Sequence, residues 1–177
     1  MRIKTRIGVL LAMATVSVAA AITGGQPAFA NAPGPIVNPN GMCLQPVPGA
    51  FQNINDNGVR IAQMTCNSSL SEQSWKPVQV GTSGGEKLWY LVNQRTDKCL
   101  DVTGASSEDR APIQQFDCNG GGSEKWLVRP YNFLRFQYVN SRTGKCLDIP
   151  GATTSAVYIQ QYRCTTFNTA QAFTFPA

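Results

Sequence analysis

Leu91 to Ala105 reads LVNQRTDKCLDVTGA, and 47 residues further on Tyr138 to Ala152 reads YVNSRTGKCLDIPGA. Ten of those fifteen positions are identical. The match continues downstream. Ile113-Gln114-Gln115-Phe116-Asp117-Cys118 answers Ile159-Gln160-Gln161-Tyr162-Arg163-Cys164, and Glu124-Lys125-Trp126 answers Gln171-Ala172-Phe173. A degraded copy precedes both. Val37-Asn38 stands before Cys43-Leu44, then come Ile61-Ala62-Gln63-Met64-Thr65-Cys66 and Gln73-Ser74-Trp75. The chain is therefore three units of about 45 residues, near 36–80, 86–130 and 131–177, and a repeat of that period outranks other fold signals.

Each unit runs in the same order: apolar strand, turn, Cys strand, Gly loop, second Cys strand, loop, aromatic strand. Runs such as Ile113-Gln114-Gln115-Phe116 and Trp126-Leu127-Val128 suit short strands bounded by turn residues. Thr103-Gly104 and Pro150-Gly151 supply turns after the Cys-Leu-Asp strands. No helical period is sustained beyond the first thirty residues. Four strands per unit predict about twelve in one closed all-β body. Six cysteines allow about 15 pairings. Their recurrence in every copy selects Cys43–Cys66, Cys99–Cys118 and Cys146–Cys164. Each such bridge stabilises by about 3 kcal/mol in the loop-entropy estimate. Trp75, Trp126 and Phe173 hold one equivalent position, which predicts a shared aromatic core, with Trp89 and Phe136 also facing inward.

The first thirty residues read differently. Arg2, Lys4 and Arg6 precede an apolar run from Ile7 to Ile22, and Ala28-Phe29-Ala30 follows the small-x-small rule of a processing site. This predicts a secretory signal peptide, cleaved after Ala30, and an extracellular protein. The run is shorter than the ~20 residues needed to span a bilayer. Three of the 15 Lys and Arg lie in this leader, so its removal takes the net charge from +5 to +2. The remaining cations are scattered, which argues against nucleic acid and anionic membranes as partners. The absence of histidine excludes Ser-His-Asp and Cys-His nucleophile systems and His-bound metal. Residues 31–35 read as a short Pro-rich arm, and 36–177 as the folded domain.

Three units of the form Cys-Leu-Asp, Gln-x-aromatic-x-Cys and Gln-x-Trp resemble the ricin-type β-trefoil lectins over residues 36 to 177. The resemblance implies a β-trefoil with one sugar site per repeat, not all of them working. In such a site an Asp two residues after the first Cys accepts from adjacent sugar hydroxyls. An aromatic two residues before the second Cys stacks on the sugar's apolar face, a Gln two residues earlier helps to position the sugar, and an Asn before Gln-x-Trp reaches another hydroxyl. The chemistry is suited to a sugar, whose C–H face matches a ring and whose neighbouring hydroxyls match a carboxylate.

Carried over, the third copy offers Asp148, Gln160, Tyr162 and Gln171, with Ala170 where the family has Asn. The second offers Asp101, Gln114, Phe116 and Glu124, with Ser123 for the Asn and Glu124 for the Gln. The first has Gln45, Ala62 and Met64 and is expected to be purely structural. The resemblance implies a secreted, freestanding carbohydrate-binding protein, weak for galactose-like or xylan-like sugars, without catalysis or cofactor. Its partners are glycans or polysaccharides. The alternative is a cell-binding subunit for a separate secreted catalytic or toxin chain. A protease inhibitor using the long first-copy loop from Val47 to Arg60 is a more distant reading. The Glu108-Asp109 pair reads as a solvated loop, the Asn119-Gly120-Gly121-Gly122 run lacks the Lys and following helix of a phosphate loop, and Asn67-Ser68-Ser69 is a formal glycosylation sequon.

Overall fold

The computed structural model describes residues 32–176. The expected signal peptide lies outside the described residues. Twelve strands join one sheet: β1 (Gly34–Pro35), β2 (Met42–Val47), β3 (Arg60–Thr65), β4 (Ser74–Ser83), β5 (Glu86–Asn93), β6 (Cys99–Val102), β7 (Ile113–Phe116), β8 (Trp126–Pro130), β9 (Phe136–Asn140), β10 (Cys146–Asp148), β11 (Val157–Tyr158) and β12 (Gln160–Tyr162). Short 3₁₀ turns are the only helical elements among the described residues. β1, β4, β5, β8 and β9 pair in succession. The ring closes where Phe136 bridges Phe173 and the Thr174 amide donates to the Val37 carbonyl at 2.8 Å.

Three hairpins cap this ring: β2–β3, β6–β7 and β10–β12. Their central isoleucines, Ile61, Ile113 and Ile159, are fully buried. The Ile159 amide donates to Ile61 O at 2.9 Å, and the Ile113 amide to Ile159 O at 3.2 Å. β6 is buried at every position because Leu100 and Val102 join the core, while Cys99 and Asp101 are covered by Cys118 and Gln114 of their own repeat. β5 shows period-two burial toward its C-terminal end, as a barrel strand should.

All three disulfides pair as the repeats require, with Cα separations of 5.0, 5.2 and 5.0 Å. Trp75, Trp126 and Phe173 are fully buried together. The two indoles donate to Leu44 O and Leu100 O, each at 2.9 Å, a bond that Phe173 has no N–H to make. Trp89 is buried, while Phe136 is only partly so and packs against the core edge. Both rings meet Phe175 edge-on, at 5.3 and 6.2 Å.

Two details depart from the expected layout. Gly34 and Pro35, assigned to the leading arm, pair with Trp75 and Ser74 and belong to the barrel. The third copy has no full fourth strand: its aromatic segment makes a single bridge, while its second Cys strand is divided into β11 and β12 around Ile159. The count of twelve holds at four per unit once β1 is included, but in the third unit the divided strand supplies the fourth.

A buried glutamine fastens each repeat to another. Gln63 Nε2 donates to Thr153 O and Ser155 O at 2.9 and 2.5 Å. Gln115 Nε2 reaches Ile54 O and Asp56 O at 2.6 and 3.1 Å. Gln161 Nε2 reaches Ser106 O and Glu108 O at 2.8 and 2.9 Å. Each therefore holds the Gly loop of the preceding repeat, cyclically. Their Oε1 atoms accept from Asn38, Thr96 and Thr143. A planar amide with two donors and an acceptor satisfies three buried groups at once. These clasps fix the loops that wall the candidate sites.

Candidate functional site

In the third repeat, the β10–β12 register sets Asp148 directly across from Gln160 and Cys146 across from Tyr162. Directly opposed residues project from the same face of an antiparallel pair. Gln160 Nε2 donates to Asp148 Oδ1 at 2.8 Å, and Gln171 Nε2 donates to Oδ2 at 3.1 Å. The carboxylate is thus aimed by an amide at each oxygen. It is 5% exposed. Burial pushes the Asp148 carboxyl above its ordinary value, the bonds from Gln160 and Gln171 pull it down, and the nearby Asp109 charge raises it. Asp148, Gln160 and Tyr162 line one open cavity of about 510 Å³, together with Arg110, Pro150, Asn168 and Ala170. The Arg163 guanidinium lies 5.5 Å from the Tyr162 ring centroid.

The second repeat repeats the register: Asp101 opposes Gln114 and Cys99 opposes Phe116. Gln114 Nε2 donates to Asp101 Oδ1 at 2.8 Å. Burial again raises the Asp101 carboxyl; hydrogen bonds from Ser123 and Gln114 lower it, and the Glu124 charge raises it. Ser123, standing where the family has Asn, therefore holds the carboxylate.

Two of the sequence-predicted residues sit behind the site rather than on its surface. Gln171 and Glu124 are 0% and 1% exposed. Besides supporting Asp148, Gln171 donates to Arg163 O at 2.9 Å and accepts from the Thr165 amide at 3.0 Å. Glu124 Oε1 accepts from the amides of Asn119 and Gly120 at 3.0 and 2.5 Å. Both close the loop after the second Cys and stand beside the neighbouring Asp.

In the first repeat, Gln45, Met64, Asn67, Leu70 and Gln73 line a hollow of about 590 Å³. Gln73 Nε2 donates to Gln45 Oε1 at 2.6 Å, so an amide stands where the other copies have a carboxylate. The shape persists without the charge. Asn168, Arg110 and the clasp glutamines were missed by sequence reasoning. The glutamine three residues before the second Cys of every copy was a visible signal for the clasps. Asn168 stands two positions before Ala170, outside the motif, and nothing in the sequence places Arg110 against another repeat's site.

A β-trefoil with an Asp, a Gln and a ring at matched places in two hairpins defines a lectin-type scaffold. The family described as ricin-type beta-trefoil lectin domain-like matches residues 35–116 and 72–162, and the chain belongs to it. It carries a ricin-type lectin domain, a carbohydrate-binding class. No curated protein matches the chain. Among solved structures it is similar to a designed three-fold symmetric protein, ThreeFoil, at 24% identity and TM-score 0.70, covering 80% of this chain and 96% of that one. It is also similar to 1,3Gal43A, an exo-beta-1,3-galactanase from Clostridium thermocellum, at 26% identity and TM-score 0.68, over 79% of this chain but 29% of that one. The hemolytic lectin CEL-III matches at 21% identity and TM-score 0.61, over 81% of this chain and 29% of its own.

Proposed function

We propose that this chain is a secreted carbohydrate-binding protein that works without catalysis, with its principal site in the third repeat and a weaker one in the second. The convergence of Asp148, Gln160 and Tyr162 on one cavity, with both carboxylate oxygens aimed by amides, carries the reading. The lone pairs left on Asp148 accept from vicinal hydroxyls, and the Tyr162 ring takes the C–H face of a galactose-like or xylan-like sugar. Open cavities of this kind bind single sugars in the high micromolar to millimolar range, about −4 to −5 kcal/mol, and two sites on one polysaccharide raise the avidity. The apolar leader and the three disulfides support an extracellular setting.

A glycan array on the processed protein tests this, beside the double variant Asp101→Ala/Asp148→Ala. The double variant should lose glycan binding and keep its melting transition. Equal binding by the double variant would remove the site assignment.

A second reading is a carbohydrate-targeting part of a larger secreted machine. The matches to the galactanase and to the hemolytic lectin support it, because each carries the similar unit as 29% of a longer chain. Purification from the native secretion would recover a stoichiometric catalytic or toxin chain in that case. A monomer without companions would count against it.

A further inference from the structure

The wall of the third-repeat cavity includes one residue from another repeat. Arg110 comes from the loop between β6 and β7, yet it lines the cavity with Asp148, Gln160 and Tyr162. Its backbone is fixed. The Arg110 amide donates to Gln161 O at 2.8 Å, and Gln161 Nε2 holds the same loop at Ser106 and Glu108. Its neighbour Asp109 is anchored by Lys145 at 2.6 Å and Arg163 at 3.4 Å. The guanidinium itself has no hydrogen bond or ion pair with any described residue. The other two cations nearby are spent on Asp109, so Arg110 is the uncommitted charge at this cavity.

The backbone here favours glycine, yet this repeat carries a side chain. Gly58 is the first repeat's equivalent: its amide donates to Gln115 O at 2.9 Å, and its φ is 84°. Arg110 adopts φ 69°. A non-glycine residue in this left-handed region costs on the order of 1 kcal/mol. Such a conformation by itself marks only a turn, as Asp97 does with φ 56°. Arg110 differs in standing on the wall of a ligand-sized cavity.

We propose that Arg110 makes the third site selective for glycans bearing a carboxylate or a sulfate ester next to the sugar held by Asp148. The inference rests on the carbohydrate-binding reading of that site. Guanidinium matches either anion through paired N–H donors. The Asp148 carboxylate repels an anion at the inner end, so the ligand's hydroxyls face Asp148 and its charged group lies toward Arg110. The second site has Gly58 at this position and discriminates less.

The test compares neutral galactan and xylan oligosaccharides with uronate-bearing and sulfated forms of the same backbones, using wild type, Arg110→Gly and Asp148→Ala. Wild type should bind the charged forms about fivefold more tightly than the neutral ones, the scale of one exposed ion pair. Arg110→Gly should erase that advantage and melt no lower than wild type, because glycine prefers this backbone conformation. The advantage should also shrink in about 0.5 M NaCl. The uronate and sulfate arms identify which anion is preferred. Equal wild-type binding of charged and neutral forms overturns the inference and leaves the lectin reading standing. So does a preference that survives Arg110→Gly, whereas charged-glycan binding untouched by Asp148→Ala overturns the inference together with the third-repeat site assignment. Absence of binding to every glycan overturns both.

Discussion

The second and third repeats present the same Asp, the same opposing Gln and an aromatic ring in the same register, yet they treat the carboxylate differently. In the third, Gln171 gives an N–H to Asp148 and, through its oxygen, takes the Thr165 amide. In the second, Glu124 takes the equivalent Asn119 amide but has no N–H to give. It sets a second carboxylate beside Asp101 instead. The oxygen end does the same loop-closing work in both copies. Only the end facing the site has changed, from a donor to a like charge. A single Gln-to-Glu exchange thus leaves the fold intact and alters the poise of a neighbouring acid.

The largest effect should fall where the two repeats are alike. Gln115→Leu and Gln161→Leu each strand two loop carbonyls and a threonine hydroxyl, and each should cost about 3 kcal/mol in urea denaturation. A loss in one copy only would mean that the clasps are not equivalent. Next comes the site itself. Asp148→Ala should weaken glycan binding about tenfold or more, the worth of charge-assisted hydrogen bonds, and Asp101→Ala should cost less than about threefold. Calorimetry giving equal losses would break the comparison.

Exchanging the supporting residues sharpens it. Gln171→Glu should weaken the third site about fivefold, and Glu124→Gln should strengthen the second by about twofold to threefold. An unchanged titration curve for both would show that the buried support is irrelevant to ligand. The smallest effect is pH-dependent. The raised Asp101 carboxyl is protonated more readily in the folded state than in the unfolded one, whose ordinary value is 3.8. Its contribution to stability therefore declines as pH climbs from 3.8 through the raised value, then levels off. Asp101→Asn should be more stable than wild type at neutral pH by about 1 kcal/mol or less, and the gain should vanish in strong acid. A gain that persists below the ordinary aspartate range would place its origin elsewhere.

Much of the fold was legible because it is written three times. The recurring cysteines marked the disulfides and the Gln-x-Trp positions marked the core aromatics, since a repeated pattern has to satisfy the same environment in each copy. The Asp–Gln–aromatic sets were legible for the same reason. Gln171 and Glu124 were grouped with these sets by motif position alone. Motif position says that a residue matters to a site, while burial decides which side of the site it occupies. The arm residues Gly34 and Pro35 were misplaced because their pairing partners, Trp75 and Ser74, lie forty residues away and carry no local sign of it.

The sequence by itself determined three repeats, three disulfides, an all-β trefoil and two matched sets of Asp, Gln and aromatic side chains. Those follow from periodicity and residue chemistry, which are local properties of the chain. Only the tertiary structure decided that each Gly loop is clasped by another repeat, that Arg110 belongs to the third repeat's cavity, and that Gln171 stands behind Asp148. Those facts depend on ring closure, which brings distant residues together through a shared buried axis rather than through any spacing along the chain.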